Sequence, residues 1–103
     1  IDRADFSYGT PPHALLLASS EGHSDYYLLV LEDISLNYPG LGGDECDKVR
    51  ADLVFFETPN GGAVFSTGSI AWAGSLAHNS YDNNVSRLTE NVLSRFLDSK
   101  PFI

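Results

Sequence analysis

The stretch Ala51-Asp52-Leu53-Val54-Phe55-Phe56-Glu57-Thr58-Pro59-Asn60-Gly61-Gly62-Ala63-Val64-Phe65-Ser66-Thr67 decides the fold. Its first six residues are rich in apolar and aromatic side chains, as a strand requires. Thr58 to Gly62 collect turn formers, and Asn60-Gly61 supplies the positive φ that tight hairpin turns demand. Ala63 to Thr67 return as a second strand. The pattern predicts a β-hairpin over about 51–67.

Downstream, Gly68 to Asn79 is rich in Gly, Ser and Ala around Trp72 and reads as a loop. A helix follows over about 84–97. Val85, Leu88, Val92, Leu93, Phe96 and Leu97 fall on one face at helical spacing, which marks the side packed on a sheet. Asp82, Asn83 or Asn84 can cap its start, because each offers a side-chain oxygen to the unbonded N–H groups of the first turn. Lys100-Pro101 ends it.

Upstream, residues 1–12 form a polar lead-in ending in Thr10-Pro11-Pro12, where two prolines disfavour helix. His13-Ala14-Leu15-Leu16-Leu17-Ala18 then suits a strand buried on both faces, with a helical turn as the rival reading. Tyr26-Tyr27-Leu28-Leu29-Val30-Leu31 reads as another strand, with helix as the rival. Residues 37–48, with Pro39, Gly40, Gly42, Gly43 and several acids, read as an exposed loop. A strand–turn–strand–loop–helix ending places the chain in the α/β class, as a single segment over 1–103.

Bulk properties narrow the function. The chain has 103 residues, 43% of them hydrophobic, enough to bury a core. Fourteen acidic against six basic residues give a net charge of −8. Such a surface repels phosphates and lacks the Lys and Arg that counterion release needs, which sets aside nucleic acid and anionic membranes. No apolar run approaches the ~20 residues of a membrane span. Cys46, the single cysteine, lies among Asp44, Glu45 and Asp47. The carboxylates make it a poor nucleophile, it has no partner for an internal disulfide, and a reduced, cytoplasmic setting is expected. Ile1-Asp2-Arg3-Ala4-Asp5 is no signal peptide. Methionine is absent throughout, as in a processed or excised piece or a chain whose start is missing.

Three places draw attention as chemistry. Ser20-Glu21-Gly22-His23 follows an apolar strand, where α/β sheets collect their sites. Glu21 is placed to act as a general base and His23 as an acid or an orienting group; an ordinary solvated loop is the competing reading. Glu57 ends the next strand and either caps the turn, reaches a site or faces water. Ser66-Thr67-Gly68-Ser69 offers backbone N–H groups able to stabilise an oxyanion. It lacks both the phosphate-loop ending and the second glycine of a nucleophile elbow. Trp72, set among Ile70, Ala71 and Ala73, reads as packing. His13, His23 and His78 show no zinc spacing, and no metal ligand is assigned.

Longer strings carry a resemblance. Gly9-Thr10-Pro11-Pro12-His13-Ala14-Leu15-Leu16-Leu17-Ala18-Ser19-Ser20-Glu21-Gly22-His23, then Phe55 through Trp72, then Asn83-Asn84-Val85-Ser86-Arg87-Leu88-Thr89-Glu90-Asn91-Val92-Leu93 resemble the C-terminal part of the large (beta) subunit of N,N-dimethylformamidase and its relatives. The middle string is the most specific.

The resemblance implies a subunit far longer than this chain, with a small subunit beside it. It implies a glutamine-amidotransferase-like sheet domain, of which this segment supplies the last strands and closing helix. It implies hydrolysis of a small N,N-dialkyl amide to formate and amine. It implies an iron held by two tyrosines and a glutamate outside this chain, since none of those roles falls on Tyr8, Tyr26, Tyr27, Tyr38 or Tyr81. The family's later catalytic glutamate corresponds to Glu21, and an aromatic residue of its substrate pocket to Phe55 or Phe56. Two other readings stay open: a non-catalytic domain that closes a sheet or mediates assembly, and a related hydrolase that keeps the scaffold without iron.

Overall fold

A computed structural model describes residues 2–24 and 47–102. The expected strand at Tyr26–Leu31, most of the 37–48 loop and Cys46 lie outside the described residues.

Three strands form one antiparallel sheet in the order β1 (Leu15–Ser20), β2 (Ala51–Glu57), β3 (Ala63–Ser66). Two helices follow, α1 (Ala71–Ser75) and α2 (Asn84–Leu97). The mixture of sheet and helices agrees with the α/β class, and the hairpin and last helix stand where the residue pattern puts them.

The hairpin turn differs from the tight Asn-Gly turn in one respect. Gly61 alone takes positive φ, at +84°. The Gly61 N–H donates to the Thr58 carbonyl at 3.2 Å and the Thr58 N–H to the Gly62 carbonyl at 2.9 Å. Pro59 therefore occupies the second position of a four-residue turn, where its fixed φ fits, and Gly61 supplies the left-handed residue that rejoins the strands.

β2 is the centre of the sheet, and Ala51, Asp52, Leu53 and Val54 are all buried. Its side chains alternate between two layers. Those of Asp52 and Phe56 meet the lead-in: the Ala4 N–H donates to Asp52 Oδ2 at 2.8 Å, and the His13 ring stands edge-on to Phe56. Those of Ala51, Leu53 and Phe55 face the helices, and Phe55 closes an aromatic cluster with Phe96 and Phe102. The tail returns to the hairpin, where Phe102 N–H donates to the Gly61 carbonyl and the Arg95 guanidinium stacks 3.9 Å from the Phe102 ring centre.

β1 departs from the expectation of burial on both faces. Leu15 and Leu16 are each more than half exposed. Its register with β2 slips between Leu16 and Ala18, where a bulge turns Ala18 and Ser20 to the helix side and Ser19 to the lead-in side. Among the described residues β1 is an edge strand, which is why an apolar run here is not covered.

Gly68 to Asn79 is not a plain loop. It contains α1, then Asn79, Ser80 and Tyr81 in consecutive left-handed conformations, with φ of 53°, 54° and 67°. Such a run costs roughly 1–2 kcal/mol per non-glycine residue. It is held by Asn83, whose Nδ2 donates to the carbonyls of Ser75, Leu76 and His78. The Oδ1 of the same residue caps α2 by accepting from the Ser86 N–H at 2.8 Å. Of the three candidate caps, Asn83 is the one used, since its backbone is extended (φ −154°) and its amide serves both helices.

The apolar face of α2 is only partly covered. Val85, Leu88 and Val92 are half-buried, while Leu93 and Leu97 are exposed. The buried residue of this helix is Thr89, which the apolar periodicity does not single out.

Candidate functional site

The site is built from the residues at the carboxyl end of β1, the start of β2, the segment after β3 and the two helices. Asp52 sets its frame. It is 1% exposed and sits in an otherwise apolar strand. Its carboxylate accepts from Ser19 Oγ at 2.7 Å, from the Ala4 N–H and from Arg50 Nε at 3.1 Å. Burial opposes its ionisation, but the bonds from Ser19, Ala4 and Arg50 outweigh burial and hold the carboxyl below its ordinary value.

Beside it, the Asp2 backbone is wedged between β2 and the end of β3. Its carbonyl accepts from the Asp52 N–H and its N–H donates to the Gly68 carbonyl. Gly68 has φ +69°, and a Cβ there would lie 2.6 Å from the Asp52 carbonyl oxygen and 2.8 Å from that of Asp2. No other residue fits where three backbones converge.

On the helix side these elements enclose a cleft of about 220 Å³. Its walls include Ala18, Ala51, Leu53, Ala71, Trp72 and Val85, and among the described residues its polar lining is serines, Thr67 and His23. Trp72 Nε1 donates to Thr89 Oγ1 at 3.0 Å, and Thr89 in turn donates to the Val85 carbonyl. Trp72 thus packs as expected and also forms a wall of the cleft.

His23 reaches the cleft through its own loop. Its Nε2 lies 3.1 Å from the Ser20 carbonyl and 3.0 Å from Ser20 Oγ. A carbonyl only accepts, so Nε2 carries the hydrogen, and in the neutral ring the lone pair falls on Nδ1. The Ser20 hydroxyl therefore does not pass its proton to Nε2, and the pair is not an activated serine nucleophile.

The other residues singled out by sequence distribute as follows. Glu21 is exposed and does not line the cleft, so Glu21 and His23 are neighbours in sequence that face different surroundings. Phe55 and Phe56 stand on opposite sides of β2, the first in the aromatic cluster and the second against His13. The Glu57 carbonyl accepts from His13 Nε2 at 2.9 Å, which makes His13 a structural tie. Of the Ser66–Ser69 segment, Thr67 and Ser69 line the cleft. Among the described residues no three His, Cys, Asp or Glu side chains cluster as metal ligands. No helix among them is long and apolar enough to cross a membrane.

Sequence reasoning missed the alanines and Val85 of the cleft wall, which look like ordinary packing. It also missed Asp52, although a carboxylate inside an apolar strand is itself a signal of a buried partner.

The chain is similar to known proteins over nearly its whole length. Residues 1–84 match the family described as N,N-dimethylformamidase beta subunit-like, C-terminal. Over 101 residues, 98% of this chain, it is 54% identical to the N,N-dimethylformamidase beta subunit of Paracoccus aminophilus. It is 50% identical over the same length to the N,N-dimethylformamidase beta subunit of an Alcaligenes sp.. The chain belongs to the N,N-dimethylformamidase beta subunit-like C-terminal family. It spans 13% of the length of these curated relatives.

Proposed function

We propose that the chain is the C-terminal part of an amide hydrolase of the N,N-dimethylformamidase kind, and that its 20–23 loop brings Glu21 and His23 to the reacting amide. The observation that carries this reading is the position of His23, on the rim of a small, mainly apolar cleft at the end of β1. Family membership and the names of the two relatives supply the reaction class.

In that reaction the oxygen of water adds to the carbonyl carbon, the C–N bond breaks and the amine leaves with a proton, giving formate and a dialkylamine. Glu21 takes the proton from the attacking water. His23 orients Glu21 or protonates the departing amine. Acid–base assistance of this kind contributes about 10²–10⁴-fold. Phe55 or Phe56 adds an aromatic wall. The sheet serves as the end of a glutamine-amidotransferase-like domain completed by the rest of the large subunit. That subunit works with a small subunit in the cytoplasm, with an iron whose ligands lie outside this chain.

The test is Glu21→Gln in the intact enzyme. Turnover falls at least tenfold with iron content unchanged, whereas wild-type turnover removes Glu21 from the mechanism. The exposure of Glu21 favours one other reading, in which this segment closes a sheet and the chemistry lies elsewhere. Full activity in both Glu21→Gln and His23→Gln variants would select it.

A further inference from the structure

We infer that Asn60-Gly61, in the hairpin turn between β2 and β3, is a site of spontaneous deamidation, and that its isoaspartate product unfastens the tail at Pro101-Phe102 from the hairpin. The turn stands at the opposite end of β2 from the strand end that leads to Glu21 and His23. The site is therefore independent of the chemistry proposed there.

The reaction needs only water. Covalent geometry keeps the Gly61 backbone nitrogen within reach of Asn60 Cγ. The nitrogen attacks that carbon, a new C–N bond closes a five-membered succinimide, and the Cγ–Nδ2 bond breaks. The proton from the Gly61 N–H leaves with Nδ2 as ammonia. Water then opens the ring, adding OH to one carbonyl carbon and H to the nitrogen. Opening at Cγ restores the ordinary backbone, with aspartate in place of asparagine. Opening at the other carbonyl gives isoaspartate, whose main chain runs through Cβ and Cγ and is one carbon longer. Mild alkali speeds the closure, because the attacking nitrogen must shed its proton.

Among the asparagines of the chain, Asn60 alone precedes a glycine. Glycine has no Cβ to crowd the approach of its nitrogen. Asn60 is exposed, and its side chain makes no hydrogen bond among the described residues. Asn79 and Asn83 differ: the Asn79 amide donates to the Asp82 carbonyl, and both ends of the Asn83 amide are engaged. The Gly61 N–H is held by the Thr58 carbonyl at 3.2 Å, the long end of the normal range. The attacking nitrogen is therefore lightly restrained.

The turn has no slack for an added backbone atom. A Cβ built on Gly61 would lie 3.0 Å from Pro101 Cβ. The Gly61 carbonyl accepts from the Phe102 N–H at 2.9 Å, which sets Phe102 against Phe55 and Phe96. Arg95 holds the other side of the tail, donating to the Lys100 and Pro101 carbonyls. Isoaspartate at position 60 shifts Gly61 relative to Pro101 and Phe102 and breaks this clasp, whereas aspartate leaves the backbone path unchanged.

The experiment ages the full enzyme in ¹⁸O-labelled water at mildly alkaline pH and follows it by peptide mapping. Label enters a new carboxyl group at position 60 about tenfold faster than at position 79, because of the glycine that follows and the free side chain. Chromatography resolves isoaspartate from aspartate there. As isoaspartate accumulates, tryptic cleavage after Arg95 quickens about threefold, since proteolysis reports local opening of the tail. Asn60→Gln keeps an amide but closes its ring far more slowly, and its cleavage rate holds constant over the same ageing. Asn60→Asp, which carries the charge without the longer backbone, starts at the wild-type cleavage rate. Labelling at position 60 no faster than at position 79 overturns the site. Unchanged cleavage in labelled enzyme, or equal quickening in aged Asn60→Gln, overturns the release of the tail.

Discussion

The Ala4 N–H donates to Asp52 Oδ2 at 2.8 Å, across 48 residues of chain. This bond fastens the lead-in to the central strand, and it shares its carboxylate with Ser19 on β1 and with Arg50. One buried side chain thus joins the lead-in, the edge strand that precedes Glu21 and the strand that floors the cleft.

Replacing Asp52 by Asn should loosen all three. Hydrogen bonds to a charged group contribute about 1.5–3 kcal/mol each, so a loss of about 3 kcal/mol in stability is expected in the full subunit. Thermal melting reads it, and limited proteolysis should cut first within the lead-in. The pH dependence has a definite sign. The folded carboxyl titrates below its ordinary value of 3.8, so its contribution is complete above that value and disappears as pH falls through the folded pKa. The wild-type protein should therefore lose stability more steeply than Asp52→Asn in that acid window. Parallel acid profiles would count against the carboxylate's role.

Asn83 makes a second test. Asp and Asn are normally about equal at a helix N-cap. Here the amide nitrogen also donates to three carbonyls at the end of α1 and beyond. Asn83→Asp keeps the cap of α2 but sets a negative charge against those carbonyls and releases the left-handed turn at Asn79–Tyr81. A loss of about 2 kcal/mol is expected from the unmatched carbonyls and strain. A melting temperature equal to wild type would show that the amide nitrogen contributes nothing.

Trp72 and Thr89 fix the wall of the cleft to α2. Trp72→Phe retains an aromatic ring but removes the N–H, and a typical buried hydrogen bond is worth about 1 kcal/mol. A small drop in melting temperature is expected together with altered KM for amide, because the wall is no longer tied in place. A change in neither would leave Trp72 as packing alone.

The segment on its own should associate. Ile70 is 95% exposed and Leu97 is 87% exposed, while Leu15, Leu16 and Leu93 are all more than half exposed. β1 also presents an edge without a partner among the described residues. Such surfaces pair with other chains or with other parts of a larger protein. Sedimentation of the isolated 103-residue segment should show dimers or larger species. A monomer with a sharp, cooperative melt would contradict this.

What was legible in the sequence was local. The hairpin is written in Thr58–Gly62 because turn chemistry acts over neighbouring residues, and α2 is written in its apolar spacing and in Asn83. What was not legible depends on distant partners. Leu15 to Leu17 look like a buried strand, yet their cover is not supplied by the described residues. α1 is too short for periodicity to show, and Gly74 within it points away from helix. Thr89 is buried because Trp72 reaches it across a turn. The candidate site divides the same way: the Ser20–His23 and Ser66–Ser69 segments stand out by composition, whereas the alanines that shape the cleft acquire meaning only once folded together.

The most direct test of the central claim is an experimental structure of the complete enzyme with a small tertiary amide bound. The expected result places the Glu21 carboxylate within about 2.6–3.2 Å of the water or amide it serves, directly or through one water, with His23 beside it. A bound amide far from the 20–23 loop, with Glu21 facing open solvent, would contradict it.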